Sequence, residues 1–309
     1  KQKTAYEIGV RLVGSEMCIR DRVYIGREMK KKIMIIDAYN MIHRCRFQWG
    51  GGFATGDNQI VFNFLRTLRA TVEKFQPDKI YFPLDGKPTV RLELYPEYKG
   101  TRRIETTDPD EIAYWKSFKR QKNTIIELMK NHFPVTSMYH PDYECDDLVL
   151  HIIKTSHSSD EVIIVSSDTD FIQILNDYPD TVKLYNPVAS SYRQNTDYDY
   201  VSWKAMVGDK SDNIPGVKGI GKKTASKILS KDGELENRLK DSRFYNEYNI
   251  SYDLIRLMPV DTTGLEVSTS EFNEDEVRAS FKSMGFESML KEPYYSKFVS
   301  TFSDTAIKS

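Results

Sequence analysis

Apolar and polar positions follow two alternating patterns between residues 30 and 190. Short apolar runs predict buried strands at 33–36, 79–84, 133–139 and 162–165. Apolar residues three or four positions apart predict amphipathic helices at 61–75, 109–131, 146–154 and 170–175. This alternation predicts an α/β fold with a doubly wound, mostly parallel sheet and right-handed crossovers.

The pattern changes from Trp203 onward, where short helical segments are separated by glycine and proline. Residues 204–231 contain seven lysines and two acidic residues. A local basic stripe of this kind is typical of a nucleic-acid contact, so we predict a second, DNA-facing lobe at 201–260. The remainder, 261–309, has helical periodicity at 274–289 and is predicted to be a C-terminal helical segment.

Overall composition narrows the class of protein. The 44 basic and 45 acidic side chains nearly cancel, so the net charge by itself indicates no polyanion partner. Cys18, Cys45 and Cys145 form no CxxC pair, which argues against a disulfide framework and a zinc site. Because no run of about eighteen apolar residues exists, we exclude a membrane-spanning protein and predict a cytoplasmic enzyme.

Residues 1–28 have no helical or strand period and no apolar core of a signal peptide. Two interpretations stay open for this leader. The run from Ser15 to Arg22 resembles translated sequencing-adapter sequence, in which case the natural protein begins at Met29. The leader is otherwise an ordinary disordered arm.

Acidic residues recur where the predicted strands end. Asp37, Asp85 and Asp168 follow three strands, and parallel strands bring their carboxyl ends to one edge of a sheet. Taken singly, each is typical of a helix cap or a turn, and the acidic group at 144–147 is typical of a helix N-terminus. So many carboxylates at one rim would repel each other unless cations neutralise them. The candidate metal ligands are Asp37, Asp85, Glu144, Asp146, Asp147, Asp168, Asp170, Asp209 and Asp212.

Oxygen ligands in this number suit Mg²⁺, with Mn²⁺ as a substitute. Two such ions about 3.5 to 4 Å apart activate water and stabilise the attacking and leaving oxygens of a phosphodiester. We therefore predict two-metal hydrolysis. The five histidines form no ligand-spaced pattern and are predicted to be structural or surface residues.

Six motifs in order give the sequence a close resemblance to the 5′ nuclease, or flap endonuclease, family. They are IMIIDAYN at 33–40, FPLDGKP at 82–88, PEYKGTRR at 96–103, YECDDLV at 143–149, VSSDTDF at 165–171 and GDKSDNIPGVKGIGKKTA at 208–225. Within the family, the sequence is most similar to bacteriophage flap endonucleases of the phage ribonuclease H type. The resemblance implies a PIN-like nuclease domain at 29–200 with a helical arch around 97–112, and a helix-hairpin-helix (H3TH) DNA-binding lobe at 201–260.

The resemblance also implies how the carboxylates divide between two metal sites. Asp85, Glu144, Asp146 and Asp147 would hold the first ion, and Asp168, Asp170, Asp209 and Asp212 the second. Asp37 would lie near both, and with Asp85 it is counted among the catalytic residues. Some phage relatives have Asn where Asp146 stands, so this chain carries the fuller acidic set.

Basic and aromatic residues near the arch carry the other implied roles. Lys99 and Arg102 would stabilise charge on the scissile phosphate, although a solvated basic loop is the alternative. Tyr98 would stack on a base, or it is a core tyrosine. Arg44 matches a family arginine that contacts phosphate, and an ordinary salt bridge is the alternative.

A glycine hairpin precedes a lysine-rich helix, and glycines with free helix N–H groups suit a DNA phosphate. The predicted DNA contacts are Gly216, Val217, Lys218, Gly219, Ile220, Gly221, Lys222 and Lys223. The family's hairpin also binds a monovalent cation such as K⁺. Its backbone carbonyl ligands would fall on Met206, Val207, Pro215, Val217 and Ile220.

These observations predict a Mg²⁺-dependent 5′ nuclease that acts on 5′ ends, flaps and nicks in duplex DNA. The family also implies RNA–DNA hybrids as substrates, and a single-strand-binding protein and a DNA polymerase as partners; the chain is predicted to be a monomer. There are two alternatives. A PIN-type ribonuclease would lack the glycine hairpin, and a non-catalytic DNA-junction binder would lack some of the carboxylates.

Overall fold

The computed structural model describes residues 30–47, 56–102 and 106–307. The predictions for the leader at 1–28 and for part of the arch, 103–105, lie outside these residues. Every helix and strand below belongs to the unit that begins at Lys32. None of the helices in the described ranges is long and apolar enough to cross a membrane.

One sheet of seven strands organises the fold, in the order β6-β5-β4-β1-β2-β3-β7. The inner pairs are parallel, and the two edge strands β6 and β7 run antiparallel to their neighbours. The predicted doubly wound, mostly parallel sheet is therefore confirmed. The strands are β1 (Lys32–Ile36), β2 (Lys79–Leu84), β3 (Thr136–Tyr139), β4 (Glu161–Val165), β5 (Val182–Asn186), β6 (Ser191–Arg193) and β7 (Glu266–Thr269).

Helices cover the sheet and form the second lobe. Those before β6 are α1 (Ala38–Arg44), α2 (Gln59–Phe75), α3 (Thr89–Leu94), α4 (Pro109–His132), α5 (Cys145–Ser156) and α6 (Ile172–Asp177). The lobe between β6 and β7 contains α7 (Tyr200–Val207), α8 (Lys222–Leu229), α9 (Glu234–Arg238) and α10 (Ser242–Ile255). The last three are α11 (Glu274–Ser283), α12 (Glu287–Leu290) and α13 (Tyr294–Ile307).

Alternate side chains of β1 enter two different cores. Met34 and Ile36 pack with α1, α2 and α4 on one face of the sheet. Ile33 and Ile35 pack with α5 and α6 on the other. A strand that is buried on both faces needs a continuous apolar run, which is why the sequence pattern located it correctly. The lobe has a separate apolar core of its own.

The C-terminal segment differs from its prediction as a helical segment. It contributes the edge strand β7, which pairs with β3, and its helices add Phe281, Phe298 and Phe302 to the core that contains Phe133. The helix predicted at 274–289 is two helices, because the chain turns at Gly285 with a φ of 73°. Residues 261–307 therefore return to the sheet domain and complete its core.

Candidate metal centre and nucleic-acid interface

The carboxyl ends of the central strands and the start of α5 form one acidic rim. Asp37 follows β1 and caps α1, accepting a hydrogen bond from the Asn40 N–H at 3.1 Å. Asp85 follows β2 and accepts the Cys145 N–H at 2.8 Å. Cys145 begins α5, so this bond ties the end of β2 to the turn that contains Glu144 and Asp146. Local capping chemistry thus places these carboxylates at the edge where ligands of parallel sheets bind.

Three carboxylates of the rim converge closely. Ligand oxygens of Asp170, Asp209 and Asp212 all lie within 4.8 Å of one another, and this is the one such acidic triad among the residues that the structure describes. These are three of the four residues predicted for the second metal site. The fourth, Asp168, donates its N–H to Ser166 Oγ, and its Oδ1 accepts the N–H of Asp170.

Basic side chains reach into this triad. Lys204 on α7 forms ion pairs with Asp170 and, at 2.7 Å, with Asp209. Arg102 forms an ion pair with Asp212. Lys204 is only 7 % exposed, so its ammonium is stabilised by carboxylates rather than by solvation. Two of the three triad carboxylates thus share one buried lysine.

Burial and mutual repulsion perturb the carboxylates that lack such a cation. Burial, with Asp168 and Asp85 nearby, raises the pKa of Asp37 to about 7. Burial likewise raises the pKa of Asp85, and burial with repulsion from Asp168 and Asp37 raises the pKa of Asp146 well above its ordinary value. Shifts of this sign indicate negative charge for which the protein supplies too little compensation.

The triad shows how a cation changes the outcome. Burial raises the pKa of Asp170 to about 6, because Lys204 offsets only part of the desolvation and the repulsion from Asp168. Burial also acts on Asp209, but hydrogen bonds from Lys204 and Ser211 outweigh it and lower the pKa of Asp209 to about 2. Asp209 is therefore ionised without any further ligand.

Lys99 lies inside the rim, beside the carboxylates, as its predicted catalytic role requires. Its ammonium is 2.5 Å from Glu144 Oε1 and 3.8 Å from Asp212 Oδ2. Its backbone N–H donates to the Asp212 carbonyl at 2.8 Å. Glu144 holds the pKa of Lys99 above its usual range, although burial acts in the opposite direction. Lys99 is therefore a fixed cation at the rim and not part of a solvated loop.

Asp147, predicted as a metal ligand, occupies a different environment. It is completely buried, and its two carboxylate oxygens accept hydrogen bonds from Arg91 at 2.6 and 2.9 Å. Oδ1 also accepts the Met258 N–H at 2.8 Å. A carboxylate with both oxygens engaged by a bidentate arginine acts as a buried counter-ion, and the role of Asp147 as a metal ligand stays a prediction.

Tyr98 also departs from its predicted role. Its side chain is 5 % exposed and belongs to the core of the lobe, and its hydroxyl donates to Glu144 at 3.0 Å. Stacking on a base requires an accessible ring face, so the structure supports the alternative of a core tyrosine. Arg44 is partly buried on α1, and its Nη1 has no hydrogen-bond partner among the described residues.

The glycine hairpin has the backbone that its sequence predicts. Gly216 and Gly219 adopt φ values of 70° and 82°. A Cβ on Gly216 would lie 2.6 Å from the Gly208 nitrogen, so this approach of two backbones requires glycine. Gly221 caps α8 without a side-chain hydrogen bond, and Lys222 and Lys223 are exposed in its first turn. Uncapped N–H groups and exposed lysines thus occur together at the start of this helix.

The carbonyls predicted to bind a monovalent cation lie around the same glycine contact. The Met206 carbonyl accepts the Val217 N–H at 2.8 Å, and the Val217 carbonyl accepts the Ile220 N–H at 3.0 Å. Both oxygens therefore already have one partner. The cation site stays a prediction.

The sequence did not predict two residues of the rim, Lys204 and Arg91. Lys204 carries a weak signal, since it is the one charged residue of α7. Arg91 carries none, because its partners lie more than fifty residues away along the chain. Both are buried cations whose role depends on tertiary structure.

Comparisons with known proteins place the chain in a family. Residues 32–206 match the family model of the 5′-3′ exonuclease N-terminal resolvase-like domain, and residues 196–256 match that of the 5′-3′ exonuclease C-terminal SAM fold. A 5′-3′ exonuclease of Aquifex aeolicus is 28 % identical, over 85 % of this chain and 95 % of that protein. A DNA polymerase I of Streptococcus pneumoniae is 31 % identical over 67 % of this chain. The chain spans 24 % of that polymerase's length.

Solved structures show the same fold. A zinc-bound T5 5′-exonuclease is 24 % identical, with a TM-score of 0.57 over 73 % of this chain and 86 % of that one. A complex of the bacteriophage T5 flap endonuclease with DNA and metal ions is 21 % identical, with a TM-score of 0.59 over 90 % and 100 %. With more than half of its length matched by the N-terminal family model, the chain belongs to the 5′-3′ exonuclease family.

Proposed function

We propose that this protein is a Mg²⁺-dependent 5′ nuclease that hydrolyses DNA at 5′ ends and flaps. The observation that carries the proposal is the acidic rim, where buried carboxylates with raised pKa values surround a close triad. Charge of this density has little structural value, because ionised buried carboxylates destabilise a fold. It is expected where a cation must be held for chemistry.

The donor set fits divalent ions. All the candidate ligands at the rim are carboxylates, which are hard oxygen donors, and Mg²⁺ and Mn²⁺ prefer such donors. One ion would be held by Asp168, Asp170, Asp209 and Asp212, and Asp85, Glu144 and Asp146 would contribute to the other, with Asp37 nearby. Bound there, the ions would supply an activated water and stabilise the leaving oxygen.

The residues of this chain would orient the substrate. Lys99 and Arg102 precede α4 in the chain, and both form ion pairs with carboxylates of the rim. Their positive charge would therefore lie beside a phosphate bound over the carboxylates. The hairpin and the exposed Lys222 and Lys223 would hold the duplex through its phosphates, without sequence preference. A 5′ strand leaving that duplex could then reach the rim.

The finer parts of the proposal follow the family resemblance and the relatives. One relative is named 5′-3′ exonuclease, and a similar structure is a flap endonuclease bound to DNA and metal ions. We extend the substrate class to RNA–DNA hybrids at primers, and the partners to a single-strand-binding protein and a DNA polymerase. K⁺ at the hairpin and a monomeric state complete the proposal.

The test is cleavage of a 5′-flap duplex labelled on the flap, with Mg²⁺ or with EDTA. The variant Asp168→Ala removes a rim carboxylate, and the exposed Asp180 gives a matched control, Asp180→Ala. We expect short 5′ products that require Mg²⁺, vanish in Asp168→Ala and persist in Asp180→Ala. Tight binding of the flap without any cutting in Mg²⁺ or Mn²⁺ would contradict the proposal and favour a binding module.

A further inference from the structure

A buried arginine connects the lobe to the acidic rim. Arg91 on α3 is 4 % exposed. Its Nη1 donates to Glu144 Oε2 at 3.0 Å, and it forms the bidentate ion pair with Asp147 described above. Glu144 is therefore held from one side by Lys99 and from the other by Arg91. The second contact is the more buried one, because Arg91 is less exposed than Lys99.

The Arg91 guanidinium also binds the end of α10, the last helix of the lobe. Its Nε donates to the Leu254 carbonyl and its Nη2 to the Arg256 carbonyl, each at 3.0 Å. These carbonyls belong to the last turn of α10 and the residue after it, where helix carbonyls lack backbone partners. Arg91 thus caps α10 while it holds Glu144.

Earlier turns of α10 support the glycine hairpin. The Gly216 N–H donates to Ser251 Oγ at 3.1 Å, and Ser251 is completely buried. The Lys218 N–H donates to Glu247 Oε2 at 2.8 Å. Hairpin, α10, Arg91 and Glu144 consequently form one continuous series of hydrogen bonds.

Gln173 fixes the same stretch of chain without touching Glu144. Its Nε2 donates to the Ile255 carbonyl at 3.3 Å, and its Oε1 accepts the Leu257 N–H at 2.9 Å. It therefore separates two roles, since a change at Gln173 loosens the end of α10 but leaves the Arg91–Glu144 contact in place.

We propose that Arg91 is a positioning residue that fixes the Glu144 carboxylate relative to the end of α10, so that duplex binding at the hairpin and divalent-metal binding at Glu144 strengthen each other. The proposal rests on the function proposed above, although that function does not itself require coupling between the hairpin and Glu144. Coupling of this kind is reciprocal and amounts to a severalfold change in each affinity. The physical element that carries it is the Arg91 guanidinium, whose five donors serve two elements at once.

The informative variant is Arg91→Lys. Lysine keeps the positive charge beside Glu144 and Asp147, but a single ammonium cannot reach both carboxylates and both carbonyls of α10. The matched variant is Gln173→Leu. A third, Lys222→Glu with Lys223→Glu, removes duplex binding at the lobe without changing the rim.

The measurement is calorimetric titration of Mn²⁺ into the protein, alone and bound to a closed dumbbell duplex that offers no 5′ end. In the wild type we expect the duplex to tighten Mn²⁺ binding about fivefold. In Arg91→Lys we expect Mn²⁺ binding without DNA to weaken about tenfold, as for other residues that orient metal ligands. The effect of the duplex should fall to less than twofold in that variant, and Gln173→Leu should retain most of the Mn²⁺ affinity.

Two results would overturn the proposal. One is a wild-type protein whose Mn²⁺ affinity ignores the duplex, and the other is an Arg91→Lys variant with unchanged affinity and coupling. The lobe charge reversal should abolish the duplex effect while sparing Mn²⁺ binding alone. Flap cleavage is scored separately, so cutting without coupling would refute only this inference, whereas absence of cutting and of Mn²⁺ binding would refute the proposed function.

Discussion

Two sets of carboxylates share the acidic rim, and they differ in what neutralises them. The cation-paired set forms ion pairs with Lys99, Arg91, Lys204 or Arg102, and its members are Glu144, Asp170, Asp209 and Asp212. The cation-free set forms no ion pair among the described residues, and its members are Asp37, Asp85, Asp146 and Asp168.

The fold thus supplies the counter-charge for one set and leaves the other set to a ligand. Lysines and arginines keep the cation-paired set compatible with folding, at the cost of burying several charges. Asp37 and Asp85 receive only neutral donors, from Ser166, Asn40 and Cys145, and their pKa values are raised. The cation-free set therefore has the greater need of a divalent ion.

The largest effect should come from Asp85→Asn in the cation-free set. Flap cleavage should fall about 1,000-fold, the upper end for the loss of one charge-stabilising group. Without metal, the same variant should melt about 3 °C higher, because it removes a buried carboxyl group whose pKa is raised by burial. Cleavage assays and thermal melts in EDTA check both.

Asp170→Asn is the counterpart in the cation-paired set. It leaves Lys204 with one carboxylate partner fewer, so its melting temperature in EDTA should fall. Equal changes of melting temperature in the two variants would remove the distinction between the sets.

The second effect concerns Lys204 itself. Lys204→Met leaves Asp170 and Asp209 without their shared cation and should lower the free energy of unfolding by about 3 kcal/mol. Urea unfolding in EDTA measures this loss, and added Mn²⁺ should recover part of it. Recovery of stability by Mn²⁺ would distinguish loss of charge compensation from loss of packing, because a bound metal ion would not restore lost packing.

The third effect separates binding from turnover. Lys99→Ala should cut flap cleavage about 100-fold while duplex affinity stays nearly unchanged, because its contact with phosphate strengthens in the transition state. Single-turnover kinetics and duplex titration measure the two quantities. The exposed Lys210, which lies between Asp209 and Asp212 in the sequence, provides the control Lys210→Ala. A large loss of duplex affinity at unchanged turnover would contradict this role.

The smallest effect is the dependence of metal-free stability on pH. Folding raises the pKa of Asp37 from 3.8 to about 7 and that of Asp170 to about 6. A raised folded-state pKa stabilises the protein at low pH, and this contribution is lost as the pH rises through those values. The melting temperature in EDTA should therefore fall by about 3 °C between pH 5 and pH 8. Asp37→Asn should flatten this slope.

Sequence patterns located the parts of the fold that are buried on both faces or capped locally. β1, β2 and β4 follow from their apolar runs, and α4 from its Asp108 cap and Pro109. β7 escaped because its four residues, Glu266–Thr269, are exposed and carry no core pattern. Its position depends on pairing with β3, which no local signal specifies.

The rim divides in the same way. Asp37 and Asp85 were identifiable because a carboxylate after a strand has a fixed position in a parallel sheet. The environments of Asp147 and Tyr98 could not be predicted, because they depend on Arg91 and on the lobe core, which lie elsewhere in the chain. Spacing along a helix predicts which residues share a face, but it does not predict which side chains from other parts of the chain contact them.

The return of the chain to the sheet after α10 also determines how the lobe can move. A domain appended at a chain end swings on one covalent link, whereas this lobe is joined on both sides, through β6 and through β7. Two attachments suppress rotation about either link and restrict the lobe to hinge motion about the line that joins them. Under the proposed function, a duplex held by such a lobe would therefore meet the rim within a narrow range of angles.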